Sequence, residues 1–257
     1  MSHSSASDKP TYTDICEKAA TDPEYFATFK SDRWFREILE HVPQNQGKLY
    51  YDKIVNTDKD FLFQKWDHFK TNDLLGSPLM FEYPNLGLTS PTTLRYISCA
   101  LDMRELFTNL NDLNIVEIGG GYGGLCKILH DVWPDIASYT FFDLPCANKL
   151  STKYLANFPS IKNIKHVDGT GTMEEFVDSS VDLVISNYGY SEVNQEGRKK
   201  YDEVVLKKSK RGYMMINFFN PKQRFDMMNF LSSFSKANQR PETCESPNVD
   251  LFTWRTL

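Results

Sequence analysis

Cysteine is sparse and unpaired in this sequence: Cys16, Cys99, Cys126, Cys146 and Cys244 are odd in number, far apart and form no Cys-x-x-Cys pair. That spacing argues against a disulfide framework and against a zinc site. No apolar run approaches the roughly 20 residues that a bilayer span requires. The opening Met-Ser-His-Ser-Ser-Ala-Ser-Asp-Lys-Pro tract is polar and lacks the apolar stretch of a signal peptide. A basic excess is missing too: 29 Lys and Arg stand against 34 Asp and Glu, a net charge of −5. Such a balance gives no global attraction to nucleic acid or anionic lipid. No His, Asp and Glu cluster at metal-ligand spacing, so no metal is expected. These absences leave a cytoplasmic protein with no nucleic-acid partner and no membrane span. What is abundant is aromatic: 18 Phe, 13 Tyr and 4 Trp beside only 13 Gly in 257 residues. Those rings either fill a core or wall a binding cleft.

Residues 1–10 read as a Ser-rich disordered tail. From Thr11 to Phe69 apolar and aromatic positions recur at helical spacing, as in Trp34, Ile38 and Leu39. Residues 72–89 are rich in Gly, Pro and Asn and read as a long ordered loop. Residues 11–89 are therefore expected to form an N-terminal helical cap with a substrate loop. Ser90 before Pro91 marks a helix start, with a hydroxyl cap and proline at the first helical position. Beyond Asn111 short apolar runs alternate with amphipathic segments. Strands are expected at 115–118, 139–143, 163–167, 181–185 and 213–217, and helices near 122–132, 146–157 and 191–208. The run Val249–Trp254 reads as an edge strand. Alternating β and α segments predict an α/β fold with a mostly parallel sheet and helices on both faces across 90–257.

The most informative tract is Gly119-Gly120-Gly121-Tyr122-Gly123-Gly124, between the first of these strands and a helix. Glycines at 119, 121 and 124 fit G-x-G-x-x-G, a turn that admits a nucleotide close to the backbone. Asp143 ends the second strand, where a carboxylate meets ribose hydroxyls in dinucleotide and S-adenosylmethionine sites alike. Glu117 discriminates better. It makes E-x-G-x-G, and a carboxylate there favours an ammonium- and sulfonium-bearing cofactor over a pyrophosphate. A buried salt bridge would also explain it. Asp168, before Gly169, suits the adenine amine, and equally a plain turn.

Three longer segments sharpen this. Val116–Cys126, Tyr139–Pro145 and Ser186-Asn187-Tyr188-Gly189-Tyr190-Ser191-Glu192, together with Asn72-Asp73…Gly76-Ser77-Pro78 and Ser90–Tyr96, resemble the sugar O-methyltransferase family of bacterial and large-virus glycan clusters. The similarity spans about residues 30–220. It implies a Rossmann-like class I methyltransferase fold with a seven-stranded sheet, S-adenosylmethionine as cofactor and a saccharide acceptor, a glycan or nucleotide-sugar. Under this resemblance Glu117, Gly119, Gly120, Gly121, Tyr122, Asp143, Leu144, Asp168, Gly169, Asn187 and Arg95 hold the cofactor. Tyr188, Tyr190, Trp66 and Asp73 hold the acceptor. One departure is Gly189, where the family has a small side chain such as Ala.

Methylating a hydroxyl calls for alignment and a positioned base. Glu192 and His68 are the candidates. Glu192 is equally placed as a first-turn carboxylate of a helix, and His68 as an exposed helix residue. Tyr122, Tyr188 and Tyr190 suit either a sulfonium and a pyranose face or the rim of a core. Arg95 suits the methionyl carboxylate, the acceptor, or solvent. The basic run from Arg198 to Arg211 reads as a solvated helix face or a dock for an anionic acceptor. Alternatives on the same fold are a small-molecule or nucleic-acid methyltransferase and an NAD-linked oxidoreductase.

Overall fold

The computed structural model describes residues 10–173, 176, 180–218, 221–242, 244 and 248–255. Nine residues of the expected tail lie outside these, and Pro10 already opens the first helix, α1 (Pro10–Thr21). Two short helices follow, α2 (Pro23–Phe26) and α3 (Arg33–Ile38), and then the long α4 (Gln44–Phe69). Asp22 and Asp32 start α2 and α3 by accepting two backbone amides each. Helix α4 bends at Asp58, whose backbone leaves helical geometry while its carboxylate caps the amide of Phe61 at 2.9 Å. The expected loop contains a small hairpin, β1 (Phe81–Tyr83) with β2 (Gly87–Thr89). Ser90 and Pro91 begin α5 (Pro91–Phe107) as their chemistry predicts, with the hydroxyl accepting from the Thr92 amide.

The remaining strands are β3 (Asn114–Ile118), β4 (Ser138–Asp143), β5 (Ile164–Asp168), β6 (Leu183–Asn187), β7 (Arg211–Asn217), β8 (Asn238–Pro241) and β9 (Val249–Arg255). Between them run α6 (Gly124–Val132), α7 (Pro145–Leu155), α8 (Gly189–Glu192), α9 (Gln195–Val204) and α10 (Pro221–Leu231). One seven-stranded sheet results, in the order β5-β4-β3-β6-β7-β9-β8. The first five strands are parallel and β9 runs antiparallel to both neighbours. The fold is thus a doubly wound, Rossmann-like α/β sheet, as expected for a class I methyltransferase. The 249–254 run is not an edge strand, however. A polar strand, β8, lies outside it, and its Asn-Gln-Arg-Pro sequence carries no apolar alternation by which to find it.

Strand alternation sorts the side chains onto two faces. Ile115, Tyr139, Phe141, Leu183, Ile185 and Met215 join the larger core with α1, α4, α5, α6 and α7. Val116, Ile118, Phe142, Val184, Met214 and Trp254 pack beneath α9 and α10. Residues of α1, α3 and α4 belong to the same buried cluster as the sheet, so the N-terminal helices share one core with it. The aromatic surplus is spent mostly here. Tyr122, for example, is fully buried against Phe29, Phe35, Tyr96 and Tyr154.

Candidate functional site

Ligands of doubly wound sheets bind at the carboxyl ends of the strands, where the order reverses. Here that point lies between β3 and β6, and two cavities open on it. The larger, about 630 Å³, is lined by Gly119, Gly121, Asp143, Asn187, Tyr188, Gly189 and Glu192 from the sheet side. Arg95 of α5, Tyr12, Glu37, Asn45 and Gln46 of the N-terminal helices and His41 between two of them face these residues. The smaller, about 330 Å³, is lined by Leu144, Gly169, Thr170, Val193 and Tyr201 among others. Gly119, Asp143, Gly189 and Glu192 border both.

The glycine loop is held by its own hydrogen bonds. The Gly119 amide donates to the Phe142 carbonyl at 2.9 Å and the Gly123 amide to Gly120 at 3.1 Å. The Gly121 amide donates to Asp143 Oδ2 at 2.8 Å, and the Leu144 amide to Oδ1 at 2.7 Å. Burial still pushes the Asp143 carboxyl up to about 6, against the lowering effect of those two amides. Glycine is required at 119, where φ is +75° and a Cβ would stand 2.7 Å from Gly189 Cα. The same contact explains Gly189. A methyl group there would lie 2.5 Å from the Ile118 carbonyl oxygen, so the family's usual small side chain has no room. Tyr188, just before it, adopts φ +71°, a strained conformation for a bulky residue of the kind that gathers at ligand sites.

Several expected site residues lie elsewhere. Glu117 is beneath the loop, not in the cleft: it accepts from Tyr139 Oη at 2.8 Å, and burial pushes its carboxyl up to about 8. Gly120 is a packing position, because a Cβ there would strike the Phe141 ring and Glu117 Oε2. Asp168 turns back on the amide and hydroxyl of Thr170, at 2.8 and 2.6 Å, leaving Gly169 and Thr170 to face the smaller cavity. Tyr122 donates to Glu40 at 2.9 Å inside the core, and Tyr190 to Asp202 at 2.6 Å. Asp73 accepts from Thr93 Oγ1 at 2.6 Å and the Ser90 amide at 2.9 Å, tying the loop to the start of α5. Trp66 packs on the core and His68 is exposed near the end of α4, and neither borders the two cavities. The cleft wall therefore carries two tyrosines, Tyr12 and Tyr188, rather than a ring-lined surface. Within the basic run Arg198 donates to the Val193 carbonyl, Lys207 pairs with Glu203 and Lys210 with Asp182, while Lys200 lines the smaller cavity.

The residue that sequence reasoning missed is His41, in the short link between α3 and α4. Its Nδ1 lies 3.0 Å from the Ile38 carbonyl, which only accepts, so Nδ1 carries the proton in the neutral ring. Nε2 then holds the lone pair and lies 3.4 Å from Arg95 Nη1. Arg95 is buried, with Tyr188 beneath its guanidinium at 5.9 Å. No motif marks His41; only its place in a connecting segment, where functional side chains concentrate, distinguishes it.

No model of a known protein family matches the chain. The desmethyl-yatein O-methyltransferase of Sinopodophyllum hexandrum is 25% identical over 148 residues, 50% of this chain and 39% of that enzyme. The match thus spans about two fifths of that relative's length. Among solved structures, an rRNA methylase from Streptococcus thermophilus covers 66% of this chain and 98% of its own, at TM-score 0.47 and 16% identity. A protein of Streptococcus mutans classed as a methyltransferase, solved in complex with SAH, covers 60% of this chain and 94% of its own, at TM-score 0.48 and 18% identity. Among the described residues no His, Cys, Asp and Glu cluster is arranged to hold a metal, and no helix is long and apolar enough to cross a membrane.

Proposed function

We propose that this chain is an S-adenosylmethionine-dependent methyltransferase acting on a hydroxyl of a saccharide. The observation that carries it is the shared rim of Gly119, Asp143, Gly189 and Glu192, which joins a smaller cavity to a larger one. The smaller suits a nucleoside: Leu144, Gly169 and Thr170 bound it, and Asp143 stands at its mouth to accept ribose hydroxyls. A dinucleotide fits less well, because the amides of Gly119, Gly121 and Gly123 are spent on protein acceptors instead of pointing at a pyrophosphate.

When bound, S-adenosylmethionine supplies an electrophilic methyl group on a sulfonium. The chain's own groups then divide the work. Arg95 offers a fixed cation to a carboxylate in the larger cleft, and Asn187 and Tyr188 line the wall beside it. His41 accepts the proton of the acceptor hydroxyl at Nε2 once Arg95, whose Nη1 shares that lone pair at 3.4 Å, engages the carboxylate instead, and Nδ1 stays anchored on Ile38 so that the ring keeps one orientation. Glu192 borders both cavities and its charge acts on Asp143, a position suited to the cofactor's side. The acceptor side sets the polar groups of Asn45, Gln46, His41 and Glu37 among the apolar Ile38, Leu39, Pro43 and Leu49, a mixture that suits the hydroxyls and the apolar faces of a sugar ring.

Calorimetry and labelled methyl transfer test this together. The protein binds S-adenosylhomocysteine and not NAD, and moves label onto short saccharides. His41→Gln lowers kcat by about 10²–10³ with S-adenosylhomocysteine affinity unchanged, whereas Glu192→Gln weakens that affinity. Preferential NAD binding overturns the cofactor assignment. Label on phenolic acceptors and none on saccharides overturns the acceptor.

A further inference from the structure

The first two turns of α4 border the cleft and also another cavity, of about 410 Å³. Asn45 lines both, so the two spaces meet at one side chain. Around this cavity stand Lys48, Tyr51, Asp52, Glu82 and Tyr83. Its two rings are fixed: Tyr51 Oη donates to the Pro84 carbonyl at 2.9 Å, and Tyr83 Oη to Gln44 at 3.5 Å. The rings stand 5.9 Å apart and 32° from parallel, and both residues are largely buried beside the space. Lys48 is occupied by Asp52 at 2.6 Å, which leaves Glu82 as the unbalanced charge.

Rigid tyrosines, amides and carboxylates, with Lys48 neutralised by Asp52, make a surface that recognises hydroxyl groups and apolar ring faces and carries no net positive charge. A phosphate or diphosphate placed there would meet Glu82, with Lys48 already committed to Asp52, and like charges are costly. Resting on the saccharide reading above, we infer that the acceptor is a neutral oligosaccharide, with one unit at His41 and the next units passing Asn45 onto the Tyr51–Tyr83 cavity. The methylated sugar is then part of a chain, not the sugar of a nucleotide-sugar.

The test compares acceptors of increasing length: methyl glycosides of hexoses and 6-deoxyhexoses, the matching di- and trisaccharides, and nucleotide-sugars. With labelled S-adenosylmethionine, kcat/KM rises about tenfold or more from monosaccharide to trisaccharide. The double variant Asp52→Ala/Glu82→Ala, made at surface positions, raises KM for the trisaccharide about fivefold, with kcat and the monosaccharide reaction unchanged. Indifference to length, an equal loss on the monosaccharide, or a nucleotide-sugar as the better acceptor overturns the inference while leaving a saccharide methyltransferase standing. Binding of S-adenosylhomocysteine with no saccharide of any length methylated removes the acceptor class and the inference together.

Discussion

The sheet edge and the N-terminal helices face each other across one cleft, and they build it by different means. On the sheet side the backbone does the shaping: Gly119 touches Gly189, Gly121 donates to Asp143, and side chains mostly stay out of the way. On the helical side the wall is made of side chains, His41, Asn45, Gln46 and Glu37, whose placement depends on how α3 and α4 pack. Beneath the loop a buried network joins the two. Tyr122 donates to Glu40, Ser90 Oγ donates to the same carboxylate, and Lys30 Nζ sits 4.4 Å from the Tyr122 ring centre. A backbone-built wall tolerates almost no substitution; a side-chain-built wall can be retuned.

The sharpest way to break the sheet side is Gly119→Ala. A Cβ against Gly189, at a positive φ, costs about 1–3 kcal/mol of stability. It also lowers S-adenosylhomocysteine affinity about 100-fold, by calorimetry, because the loop must shift. The next largest effect concerns the acid under that loop. Glu117 keeps its proton to about pH 8 when folded, whereas an exposed glutamate loses it near 4.5. Between those values the folded chain binds more protons, so stability falls as pH rises through the window. Glu117→Gln still accepts from Tyr139 and removes this part of the slope, leaving the smaller falls that Asp143 and Asp73 cause up to about pH 6. In urea unfolding the variant gains a few kcal/mol over the parent at pH 9 and little at pH 4. The mildest probe cuts the link between the two sides. Tyr122→Phe removes the hydroxyl on Glu40 and costs about 1–2 kcal/mol, read as a lower melting temperature, with S-adenosylhomocysteine affinity unchanged. A loss of affinity there would show that the network shapes the cleft as well as the core.

The same contrast explains what could be read without a structure. The strand runs, the Ser90-Pro91 helix start and the glycine turn are local patterns, and each appears at its expected place. Asp143, Leu144, Gly169, Asn187 and Arg95 border the cavities because strand ends and helix starts fix their positions. Side-chain assignments fared differently. His68 and His41 look alike in sequence and both are exposed, and only the fold puts His41 at the rim of the cleft and His68 away from it. Tyr122 and Tyr190 sit in motif-rich tracts yet point into the core, since the alternation of a turn is too short to reveal direction. Strand β8 was illegible because it buries no apolar face of its own.

That last strand has a consequence for the order of assembly. Strand β9 follows β8 in sequence but lies inside it, between β7 and β8. On the ribosome, β8 emerges with no place in the sheet and must wait until the later strand has been made and has slotted against β7. Val249, which opens β9, and Cys244, just before it, also line the larger cleft. The far wall of the site is therefore synthesised well after the glycine loop, so a growing chain that already carries that loop has no closed acceptor cleft to offer.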